Sequence, residues 1–124
     1  MSPYEALKGR CVLVVEDETM IAMLLEDMLG DLGCAVVGPA HGLDDALALA
    51  NGGAGIDAAL LDVNLAGRPV FPLADALRAK GVPVIFSTGY GETGLRQIDA
   101  GAPVLQKPFK ITDLARALEA VMKG

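Results

Sequence analysis

Glu16, Asp17, Asp62, Thr88 and Lys107 are the residue types that hold phosphate or a metal ion. Neighbouring carboxylates repel by about 4 kcal/mol per pair at 4 Å and an effective dielectric of 20. A cluster of them therefore persists where protons or a cation neutralise it. Hard oxygen ligands suit Mg²⁺, which keeps several waters and takes one or two protein carboxylates with phosphate oxygens. A carboxylate is also a nucleophile toward phosphorus, forming an aspartyl-phosphate. An ammonium group would offset the charge on the transferring oxygens, and a hydroxyl could bond one of them after transfer. Asp62 is the best nucleophile candidate, because it would lie centrally among the elements that carry the others.

Those elements are short apolar runs. Cys11–Val15 leads into Glu16-Asp17, Ala58–Leu61 into Asp62, Val84–Ser87 into Thr88, and Val104–Gln106 into Lys107-Pro108. As parallel strands of one sheet they would place all four endings on one edge, where open α/β sheets bind their ligands. Between the runs, apolar residues recur at helical spacing: Ile21, Leu24, Leu25, Met28, Leu29 and Leu32, then Leu43, Ala46, Leu47 and Ala50, then Leu73 and Leu77, and finally Ile111, Leu114, Leu118, Val121 and Met122. Gly33 and Gly81 suit helix C-caps. Met20, Met23 and Met28 are expected to fill core gaps. Ala35–Val37 is a second strand, which Gly38-Pro39 should stop away from the crevice, and Ala66–Pro69 is a loop. A short, mobile helix is expected over Glu92–Ala100. Alternating strands and helices predict a three-layer (βα)5 α/β domain with a doubly wound parallel sheet. The flavodoxin-like order 2-1-3-4-5 is favoured, because it brings Asp17 and Asp62 together.

Composition excludes other classes. The 124 residues fit one domain. Ten Lys and Arg against 16 Asp and Glu leave a charge of −6, without the basic surface that nucleic acid needs. No apolar stretch approaches the roughly 18 residues that span a bilayer. The N-terminus lacks a signal-peptide core, so a cytoplasmic location is expected. A bridge between Cys11 and Cys34 is geometrically conceivable, but free, buried thiols are expected there. His41, the only histidine, is expected on the surface, far from the acidic edge.

The ordered set Glu16-Asp17, Asp62, Thr88 and Lys107-Pro108-Phe109 resembles the receiver domain of bacterial two-component response regulators, over about Arg10 to Met122. The resemblance implies a single receiver domain over 1–124 (core about 10–122) with no output domain. Asp62 would be the phospho-acceptor, taking its phosphoryl group from a sensor histidine kinase or a histidine phosphotransfer protein. Asp17, Asp62 and the backbone carbonyl of Asn64 would hold Mg²⁺, with Mn²⁺ as an alternative, and Glu16 would act through water. Thr88 would be the switch hydroxyl and Lys107 the phosphoryl partner, with a cis Lys107–Pro108 peptide. The implied product is a switch acting on a downstream protein partner or passing the phosphoryl group on, not an enzyme beyond its own phosphotransfer and autodephosphorylation.

The chain departs from the family pattern in places. Ala66 replaces a usual Pro, a mild change. Val104 stands where most receivers carry an aromatic that swings inward. Phe86-Ser87-Thr88-Gly89-Tyr90-Gly91 is similar to a Phe-Ala-Thr-Gly-X-Tyr motif of a subfamily lacking that aromatic, which makes Tyr90 the switch candidate. Two other readings are a haloacid-dehalogenase-like Mg²⁺ phosphatase, since Asp62-Val63-Asn64 is similar to its Asp-x-Asp opening, and a receiver-fold binding module independent of phosphate.

Overall fold

The computed structural model describes residues 4–89 and 101–122. Tyr90 and the helix expected over Glu92–Ala100 lie outside them. Five strands, β1 (Cys11–Val15), β2 (Ala35–Ala40), β3 (Ala58–Asp62), β4 (Val84–Thr88) and β5 (Val104–Gln106), form one parallel sheet in the order β2-β1-β3-β4-β5. This is the order expected from the alternation. Around the sheet lie α1 (Thr19–Asp31), α2 (Leu43–Asn51), α3 (Phe71–Ala79) and α4 (Ile111–Met122). No described helix is long and apolar enough to cross a membrane.

Helices on both faces bury the central strands of a parallel sheet, and β3 and β4 are buried throughout. Their alternating side chains supply two cores. Val12, Val14, Leu60 and Ile85 meet Leu25 and Leu29 of α1 and Leu114 and Leu118 of α4. Leu13, Val15, Leu61 and Phe86 meet Ala46 of α2 and Leu73 and Leu77 of α3. Phe86 is fully buried, its ring centre 6.4 Å from that of Phe71 in an edge-to-face pair and 5.7 Å from the Arg78 guanidinium.

Two helices end as their glycines predict. After α1, Gly33 at φ +86 lets its N–H donate to Gly30 O and lets Cys34 N–H donate to Leu29 O. Gly81 at φ +80 repeats this with Arg78 and Leu77, so both caps have the Schellman pattern.

Several expectations are corrected. Gly38-Pro39 does not stop β2. The register passes from Leu13↔Val37 to Val15↔Ala40, so β2 carries one extra residue as a bulge and continues to Ala40. Gly38 has φ +93, and a Cβ there would stand 2.8 Å from Ala40 N and 3.2 Å from Val14 O. The Gly38–Pro39 peptide is cis. On α1, Met20, Met23 and Leu24 are exposed, at 84%, 58% and 53%; the buried stripe is Ala22, Leu25 and Leu29. Cys11 and Cys34 are both free. Cys34 packs with Val12 and Val14 on one face of the sheet, and alternation along β1 directs Cys11 to the other.

Gly38→Ala is expected to lower the unfolding free energy by about 1–3 kcal/mol, because an L side chain meets both the disfavoured φ and the close backbone. The check is a reduced urea midpoint at unchanged slope.

Candidate functional site

The acidic edge is assembled from the ends of β1 and β3, with β4 and β5 adding Thr88 and Lys107. Glu16 follows β1 and is fully buried, Asp62 closes β3 and is buried, and Asp17 is half-buried in the β1–α1 loop. One carboxylate oxygen from each lies within 4.8 Å of the other two. Lys107 follows β5, and its Nζ lies 2.6 Å from Glu16 Oε1 and 3.2 Å from Asp62 Oδ2. The Lys107 backbone N–H donates to Thr88 O at 2.9 Å, which fixes the root of that side chain against β4. Thr88 is buried at the end of β4, one residue beyond the Asp62↔Ser87 pair. The Lys107–Pro108 peptide is cis.

Backbone amides complete the holding of these groups. Glu18 N–H donates to Glu16 Oε2 and Asn64 N–H to Asp62 Oδ1, each at 3.2 Å. Residues 66–69 are more ordered than a loop. Asn64–Leu65 pairs antiparallel with Arg68–Pro69, turned by Ala66 at φ +49 and Gly67 at φ +87. A two-residue hairpin turn with both central φ positive matches strand twist. Its tip places Ala66 N–H 3.1 Å from Asp17 Oδ2. Proline has φ fixed near −65° and no N–H, so it could occupy neither that turn position nor that bond. The exchange to Ala66 is thus more than mild.

His41 also belongs here. It is exposed, as expected, but not far from the acids: its Nδ1 lies 2.9 Å from the Glu16 carbonyl. The bulge is why, since it carries β2 on to the same edge. Position alone could have revealed it, as the first residue beyond a strand of the sheet. Beside the cluster, a small apolar cleft of about 100 Å³ is lined by Ile21, Leu24, Leu25 and Met28 of α1 with Pro108 and Phe109.

Burial dominates the electrostatics. It pushes Glu16 up to about 7, against the lowering effect of the Lys107 ammonium. It also raises Asp62, again opposed by Lys107. Asp17 goes the other way: burial would raise it, but hydrogen bonding with Asp62, Glu16 and the Ala66 amide outweighs this and lowers it. Burial works against the Lys107 charge too, yet its bonds to Glu16 and Asp62 raise it. Burial thus favours the protonated form of the buried carboxylates, and Glu16 Oε1 leans on the Lys107 ammonium at 2.6 Å. Three converging hard oxygens with a single ammonium among them fit a small divalent cation.

The sequence matches the family model described as the response regulator receiver domain over residues 12–119. It is 35% identical over 119 residues to the transcriptional regulatory protein PdtaR of Mycobacterium tuberculosis, covering 93% of this chain and 58% of that one. The chain thus spans little more than half the length of that relative. The solution structure of SdrG from Sphingomonas melonis is 41% identical, with a TM-score of 0.82 and coverage of 98% and 99%. The BeF3-activated form of SdrG gives 44%, 0.77, and 90% and 95%. The receiver domain of sensor histidine kinase PA1611 from Pseudomonas aeruginosa, with magnesium in its active site cleft, gives 29%, 0.80, and 94% and 99%.

Glu16 generates a pH dependence. Between about pH 4.5 and 7 the folded protein holds a proton that the unfolded chain releases, so that contribution is complete below 4.5 and is lost as pH rises to 7. The urea midpoint is expected to fall between pH 5 and 8, and Glu16→Gln to flatten the fall. Saturating Mg²⁺ should raise the midpoint more at pH 8 than at pH 5, because metal and proton compete for the same oxygens.

Proposed function

The chain belongs to the response regulator receiver domain family, and from that premise we propose that Asp62 is the phospho-acceptor of a two-component phosphorelay. The observation that carries this is the Lys107 ammonium set between Glu16 Oε1 and Asp62 Oδ2, beside Asp17, at the carboxyl edge of a parallel sheet. An Asp62 oxygen attacks the phosphorus of a phosphohistidine on a kinase or phosphotransfer protein. The P–N bond breaks as the O–P bond forms, and histidine leaves.

Each neighbour has a part in that step. Asp17, Asp62 and the Asn64 carbonyl would hold Mg²⁺, with Glu16 acting on it through water. The bound ion offsets charge on the phosphoryl oxygens. Support for Mg²⁺ is the convergence of the three carboxylates and the magnesium-bound cleft of the PA1611 receiver. Lys107 turns its ammonium from the free Asp62 carboxylate to the incoming phosphoryl oxygens, and the Thr88 hydroxyl bonds one of them. Asn64 N–H, already on Asp62 Oδ1, orients the nucleophile. Autodephosphorylation, with water attacking the same phosphorus, belongs to the reading; an external enzymatic substrate does not.

Readout differs from a receiver with an aromatic on its last strand. Val104 lies 45% exposed on β5, and the switch is assigned to Thr88 with Tyr90. The exposed Met20, Met23 and Leu24 and the cleft against Phe109 form the face on which the phosphodonor domain sits. The acidic surface leaves nucleic acid out of the direct partners, so the signal passes to a protein.

Asp62→Asn is expected to abolish transfer of labelled phosphate from a phosphorylated kinase domain, at an unchanged urea midpoint or a higher one. The parent should label only with Mg²⁺ present, and normal labelling of the variant would refute the assignment.

A further inference from the structure

We propose that His41 is a positioning residue for the acidic cluster, fixing through its bond to the Glu16 carbonyl the peptide that carries Asp17. The proposal rests on reading Glu16, Asp17 and Asp62 as a metal site. Asp17 belongs to no regular element: β1 ends at Val15 and α1 begins at Thr19. The helix start adds little, since its N-cap Glu18 makes no side-chain capping bond. Something else must hold residues 16 and 17.

The end of β2 does so from one side. Ala40 O accepts the Glu16 N–H at 2.9 Å, and the next residue, His41, bonds the Glu16 carbonyl through Nδ1 at 2.9 Å. That N–H and that carbonyl belong to the two peptide planes flanking Glu16. Each plane is rigid, so two consecutive residues of one strand end restrict both soft dihedrals of Glu16 and set the direction in which Asp17 leaves. From the other side, Ala66 N–H holds Asp17 Oδ2 at 3.1 Å. Asp17 is thus placed between β2 and the hairpin.

The arrangement depends on the bulge. Without the extra residue at Gly38-Pro39, alternation along β2 would bring different residues to face Glu16. A carbonyl oxygen can only accept, so His41 must carry its proton on Nδ1, leaving Nε2 unprotonated in the neutral ring. The imidazole is exposed, so water can replace its bond to the carbonyl in a truncated variant. The bond's value is therefore directional, and its loss should be felt in ligand placement more than in stability.

The test compares the parent with His41→Ala and His41→Asn, whose amide keeps an N–H donor. Three quantities are measured: Mg²⁺ affinity by calorimetry, the urea midpoint, and the ¹⁵N signature of the His41 ring. Groups that orient metal ligands carry roughly 10- to 100-fold in affinity, and because His41 acts through backbone, H41A is expected at about tenfold weaker. H41N should recover most of this, both midpoints should stay at the parent's value, and the parent ring should be protonated at Nδ1. Parent-like Mg²⁺ affinity in H41A overturns the proposal. So does a ring protonated only at Nε2, or a loss that follows the midpoint down and is not recovered by H41N. A parent that takes up no Mg²⁺ overturns the metal-site reading as well, which separates the two failures.

Discussion

Burying Glu16 beside Asp62 is the constraint around which the rest of the molecule is arranged. An unpaired buried carboxylate is expensive, and removing one partner of a buried pair costs more than the pair ever contributed. Lys107 meets that demand for both acids at once. It does so from β5, two strands from β3, a gap of about 10 Å at ordinary strand spacing that the lysine and the acid side chains close between them. The sheet order β2-β1-β3-β4-β5 puts the ends of β1, β3 and β5 on one edge, where the Lys107 ammonium meets both acids. The compensation is incomplete, with one ammonium facing three carboxylates. Burial is why Glu16 and Asp62 hold protons more firmly than ordinary carboxylates do, with Lys107 opposing it, and the excess of carboxylates over ammonium is why a divalent cation has a place there.

Two backbone irregularities then refine what the sheet order places. The β2 bulge at Gly38 and the Ala66-Gly67 turn both use positive φ, and each sends a donor to the β1–α1 loop. Neither touches Asp62. Asp62 is held by its own strand, by Asn64 N–H and by Lys107, while Asp17 is held from the hairpin.

Most of this edge is legible in the sequence because the signal is simple. The apolar runs are nearly continuous, as a sheet covered on both faces requires, and Asp62, Thr88 and Lys107 stand where they stop. His41 was missed because Gly-Pro ordinarily ends a strand; that Gly38 instead takes up a bulge is decided by pairing with β1, which no local pattern records. The Ala66 contact was missed for a related reason. A single residue exchange says that Pro is gone, but not that the freed N–H finds Asp17 49 residues away in sequence. On α1 the 3.6-residue period located the helix and overstated its buried stripe. Ala22 packs inward while Leu24 and Met23 flank the contact, because a helix seated closely on a sheet favours a small residue at its centre.

The fully buried β3 has a consequence of its own. Paired on both sides and covered on both faces, it belongs to the part of a domain whose amides exchange with solvent only on global opening, whereas a three-residue border strand such as β5, with Val104 and Gln106 turned outward, can open locally. The strand that carries Asp62 and the border strand thus differ in local stability. Substitutions accumulating along the border can retune which partners the surface admits while the phosphorylation chemistry stays the same.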